Sequence, residues 1–213
     1  MMIEAQMNKP DMQENIPDVI TTQVLEMIRE ETKACWQWCG YVWKNDHLRH
    51  AALTLQEQFS VDCQLLLLSQ WYGMHKRLVS QAFHEELLFS TLDWSLKVVL
   101  PLRSMRRYID SNAFEHPEQN QNTFLHHIQN IELESERLQQ YQLMYKFYEF
   151  CLKEIHEIRE MQDHTQCMQL NFNNLANAYR IAWDPDNPND HIVKISNLLL
   201  KSIFESERML QES

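Results

Sequence analysis

Glycine is nearly missing from this chain: Gly40 and Gly73 are the only two in 213 residues. So small a supply excludes Gly-rich phosphate loops, tight type I′ hairpins and a turn-dense β-sandwich. Prolines number only six, which leaves long stretches free to be helical. Long apolar runs are missing too. The densest, LLLLSQWYG at 65–73, is interrupted by Ser69 and Gln70 and falls far short of the roughly 20 residues that a bilayer span requires. No membrane span is expected. The opening MMIEAQMNKPDMQENIP lacks a charged-then-apolar signal pattern, and Cys35, Cys39, Cys63, Cys151 and Cys167 lie on apolar helical patterns. A reducing, cytoplasmic compartment is therefore expected.

Positive charge is also scarce. The chain carries a formal net charge of −11, placed unevenly: −2 over residues 1–16, −1 over 17–113 and −8 over 114–213. No global field attracts a phosphate backbone, so nucleic-acid binding is disfavoured. What is present is an ordinary globular balance, 44% hydrophobic and 23% charged, which excludes a wholly disordered chain.

Apolar residues recur at helical intervals almost throughout. Residues 1–16 have no periodic face and read as a disordered N-terminal tail. Ile20, Val24, Ile28, Cys35, Trp38 and Val42 mark a first helix, and Asn45 with Asp46 a break and cap before a second. Ser60 is expected to cap a third helix that stops at Gly73 and is apolar nearly all round, hence central. Ser80 and Thr91 precede further helices, and Pro101 should kink or restart the second of these. A polar connection at 114–124 leads to the longest periodic segment, about Leu125 to Met161. A helix around Met168, Phe172, Leu175 and Tyr179, the turn DPDNPND at 184–190 and a last helix capped by Asp190 complete the chain. No strand pair is expected. The predicted class is all-α: a compact multi-helix bundle around an apolar central helix, with a core domain over 17–161 and a C-terminal helical extension over 162–213.

The familiar catalytic and metal-binding patterns are incomplete on this scaffold. Three residues beyond every glutamate there is no histidine, so the di-iron bundle pattern is absent. HEIRE at 156–160 lacks the second histidine of a metalloprotease helix. His47 and His50 read as solvated side chains, and Cys35 and Cys39, with three residues between them in mid-helix, as core. No metal site and no cofactor are expected. Trp36, Trp38, Trp43, Trp71, Trp94 and Trp183 read chiefly as core, with buried acceptors near their indole N–H groups. The most informative segment is PLRSMRR at 101–107. Arg103, Arg106 and Arg107 stand at i, i+3 and i+4, while Glu132 and Glu136 share a face of the long helix with Arg137 beside them. These stripes suit an inter-helix salt-bridge network, and the rival reading is an anion site. Asp62, near a helix start, is the candidate centre of a buried polar hub.

The run LTLQEQFSVDCQLLLLSQWYG, then Trp94, VVLPLRSMRR and IELESERLQQYQL resembles the uncharacterised bacterial family DUF2390 over roughly residues 38–143. The resemblance implies that Gln56, Asp62, Trp71, Trp94, Pro101, Arg103, Arg106, Arg107, Glu132, Glu136 and Arg137 are the family's signature positions, and that residues 144–213 extend past its usual length. It implies no activity. The expected function is an interaction or regulatory module without catalysis, pairing with an unknown protein or with a second copy of itself. The alternative is a binder of a small or phosphate-containing ligand, or an enzyme acting on one, through the arginine stripe. Contact with RNA or a ribosomal surface ranks third.

Overall fold

The computed structural model describes residues 21–111, 119–153, 158–182, 186–187 and 190–211. The expected tail at 1–16, Pro117 and Trp183 lie outside them.

Local capping chemistry sets most of the helix starts. Thr21 accepts from the Val24 amide to open α1, Thr22–Val42. Asn45 Oδ1 accepts from His47 and Leu48 to open α2, Asp46–Phe59. Asp62, rather than Ser60, opens α3, Cys63–Met74, by accepting from Gln64 and Leu65. Ser60 instead closes α2 in the left-handed region at φ 58°, a position where a short polar residue substitutes for the scarce glycine. Ser80 opens α4, Gln81–Trp94, and Thr91 lies inside that helix, its hydroxyl donating to the Leu87 carbonyl.

Pro101 behaves as its chemistry requires. It occupies the second position of α5, Leu100–Ser111, where it has no N–H to return to the preceding turn. The chain accommodates this with a π-helical turn, Ser95–Val99, in which the Leu100 amide reaches back five residues to Ser95. The long helix α6 runs Gln119–Lys153. Ile158–Glu160 is not its continuation: it forms β2, antiparallel to β1, Arg77–Val79, with Leu78 opposite Arg159. Two three-residue strands from segments some eighty positions apart carry no alternation that a sequence reading detects. Then follow α7, His164–Ala178, opened by Asp163, and α8, His191–Gln211, where Asp190 accepts from the Ile192 amide.

The chain is a helical fold around α3, in which every residue from Cys63 to Gly73 is buried. A helix apolar on all sides needs neighbours on all sides, and α1, α2, α6 and α7 supply them. The tightest approach is at Gly73, which does not end α3 as expected but lies within its last turn. A Cβ there would stand 2.6 to 2.9 Å from Met168 Cγ, Cα and N, so glycine is what lets α7 press against α3. Asn171 of α7 locks the contact, accepting from the Val79 amide and donating to the carbonyls of Ser69 and Arg77. The core continues into α8 through Ile192, Leu199 and Ile203. Among the described residues no helix is long and apolar enough to cross a membrane.

Candidate functional site

Because α5 restarts at Pro101 and runs alongside α6, the arginine stripe and the glutamates face each other. Arg103 Nε donates to Glu132 Oε1 at 3.2 Å, one of its terminal amino groups to Glu136 Oε1 at 2.6 Å, and the other to Gln56 Oε1. Arg106 grips Glu132 with two donors, Nε to Oε2 at 2.5 Å and Nη2 to Oε1 at 3.2 Å. The glutamates are buried or nearly so, and each guanidinium binds more tightly to its proton for having them close. Burial acts the other way on Glu136, raising its pKa from the ordinary value even with Arg103 beside it.

Three of the charged residues expected in the cluster lie apart from this centre. Arg107 reaches outward to Glu57 of α2 at 3.5 Å, both ends exposed. Arg137 does not join the cluster at all; it pairs at 3.0 Å with Glu134 on the outer face of α6, because the position after Glu136 is turned roughly 100° away from it. Asp62 forms a neighbouring polar group instead of bonding the arginines. Its Oδ2 accepts from Gln139 at 2.7 Å and from Ser95 at 3.3 Å, while its own amide donates to the Tyr179 hydroxyl. Trp94 donates to the Ser135 carbonyl at 3.0 Å, holding the π-helical turn on α6, and Trp71 donates to Glu31 at 3.2 Å.

Between the arginine cluster and α1 lies a cavity of about 440 Å³. One wall is charged and paired (Arg103, Arg106, Glu132, Glu136), and the opposite one is apolar, built from Trp36, Trp43, Leu53 and Leu67 among others. A second cavity of about 120 Å³ reaches Asp62 and Gln139, with Arg103, Gln64 and Glu136 on the partition between the two. Sequence reasoning singled out the charged wall but not the cavity. Trp36 and Trp43, read there chiefly as core, are half-buried on its lining.

The nucleophilic groups nearby are quiet. Cys63 lines the cavity, but desolvation drives its thiol pKa far up, so it stays protonated and donates to Gln56 Oε1. Ser69 Oγ lies 2.9 Å from His84 Nε2, a pairing the sequence did not announce. Both residues are sealed in the core, and His84 Nδ1 meets the Ser80 carbonyl rather than a carboxylate. Cys35 and Cys39 are buried against Gln140, and His47 and His50 are exposed. Among the described residues no group of three or more His, Cys, Asp or Glu side chains is arranged to hold a metal ion.

Fold and site together define a helical protein organised around a paired arginine–glutamate cluster beside a cavity. Each element of that arrangement, from Trp36 to Glu136, falls within residues 34–143, which match the model of the family described as "Protein of unknown function (DUF2390)". The match covers just over half of the chain, and the chain belongs to that family. No curated protein and no solved structure matches it.

Proposed function

We propose that this chain is a binding protein that works without catalysis, taking a small molecule into the larger cavity. The observation that carries this reading is the cavity itself. Its volume of about 440 Å³ lies within the range of small-molecule sites, and its apolar walls with a few convergent polar groups have the composition of such sites. Glu132 and Glu136 already satisfy most of what Arg103 and Arg106 offer, which argues for an orienting wall rather than a trap for free phosphate. The protonated Cys63 favours binding over nucleophilic chemistry.

The test is ligand-observed NMR with a panel of aliphatic acids, sugar phosphates, amino acids, nucleosides and flat aromatic acids. Hits are expected, and they should vanish in Leu133→Trp, which places a large ring at the mouth from a position 51% exposed and therefore tolerant of change. Silence across the panel, or hits indifferent to that substitution, would sink the reading.

A second reading, self-association, is favoured by one feature of α6. Phe124, Ile131, Leu138 and Leu152 are exposed and, with half-buried Tyr145, recur every seven residues. The row is symmetric about Leu138, so an antiparallel second copy would meet Phe124 with Leu152 and Ile131 with Tyr145, as a two-fold interface requires. Sedimentation should report a dimer that Leu138→Glu dissociates; a wild-type monomer at all concentrations counts against it.

A further inference from the structure

Gly40 is a glycine that the backbone does not need. It lies inside α1 without a positive φ, and a Cβ built on it would meet nothing within 4 Å. Glycine inside a helix weakens it relative to alanine, so the position gives up stability for open space. That space belongs to the larger cavity, where Trp36 and Trp43 stand four residues before and three after, on the same helix face. Among the described residues the indole N–H groups of Trp36 and Trp43 have no hydrogen bond, whereas those of Trp38, Trp71 and Trp94 each have one. Deeper in, Gln64 is 8% exposed and donates to Glu136, yet its Oε1 is unpartnered. A buried acceptor of this kind favours a ligand that brings a donor. At the rim, Arg107 is held, among the described residues, only by its long, solvent-exposed pair with Glu57.

Resting on the small-molecule reading above, we infer that the cavity takes a flat aromatic ring carrying an N–H or O–H donor and an anionic substituent. The ring occupies the gap at Gly40 between the two tryptophans, whose faces and edges suit aromatic partners. The Gln64 amide, whose Oε1 is sealed from solvent, turns to meet the donor, and the anion meets the fork of Arg107. Gly40 is thereby a specificity-determining position.

Titration calorimetry with indole-3-carboxylate tests this. Binding is expected, weakened about tenfold or more in 1-methylindole-3-carboxylate, which lacks the donor, and similarly in cyclohexanecarboxylate, which lacks the flat ring. Arg107→Gln should weaken it by a few-fold and flatten its salt dependence. Gly40→Leu should keep a cooperative melt and lose binding; if that variant fails to fold, Gly40→Ala should still bind more weakly than wild type. Equal binding of the cyclohexane acid, or undiminished binding by a folded Gly40 variant, overturns the inference. If indole-3-carboxylate is silent while other panel members bind and Leu133→Trp blocks them, this inference fails and the small-molecule reading stands. If no panel member binds, both fail.

Discussion

At the scale of single residues, the two glycines show how one side-chain type serves opposite ends. At Gly73 the missing Cβ leaves room for the Met168 backbone, so Gly73→Ala should destabilise the protein by ~1–3 kcal/mol through overpacking, although alanine favours helix. At Gly40 nothing is in the way, and Gly40→Ala should raise stability by ~0.5–1 kcal/mol. Denaturant melts of the two variants should move in opposite directions; matched shifts would refute the contrast. His84 makes a different demand. Fully buried against Ser69 and the Ser80 carbonyl, its pKa is pushed down from 6.5 to about 4 by desolvation. The unfolded chain therefore takes up a proton first as pH falls. The neutral histidine's contribution is intact above pH 6.5 and is lost between 6.5 and about 4, by up to roughly 3 kcal/mol. Urea melts at pH 7, 5.5 and 4.5 should show this slope, and His84→Gln should flatten it; an unchanged slope assigns it to other groups.

At the scale of elements, the α5–α6 pairing depends on Arg103. Arg103→Met leaves Glu136 and part of Glu132 buried without their cation, and should cost roughly 3–5 kcal/mol. Replacing Arg103, Arg106, Glu132 and Glu136 together with apolar residues of similar volume should recover most of that loss, since a buried ion pair adds little net stability over good apolar packing. Arg137→Ala, on the exposed face, should change stability by less than about 0.5 kcal/mol. Equilibrium unfolding of the three variants ranks them, and a large effect at Arg137 would contradict the geometry. Helical periodicity alone made the Arg103–Arg106 and Glu132–Glu136 stripes legible, because i, i+3 and i+4 spacing assigns a face. That Arg107 turns to Glu57 of α2 was not legible, since which helix lies over a given face depends on chain-distant packing.

At the scale of the whole molecule, α7 and α8 supply Met168, Phe172, Leu199 and Ile203 to the same core as α3. A chain ending at 143, where the family match stops, would leave α3 uncovered along α7; it is expected to lose cooperative unfolding, and a sharp calorimetric transition would show otherwise. Composition and period by themselves determined the helical class, the central place of α3, the caps at Asn45, Ser80 and Asp190, and the opposed charges of α5 and α6, since each follows from the local chain and a 3.6-residue repeat. The tertiary structure alone decided the β1–β2 pairing, the close approach at Gly73, the exclusion of Arg137 from the cluster and the cavity at Gly40. Those features arise where segments far apart in the chain meet, and the free energy of such meetings resides in shape and burial that no local pattern encodes.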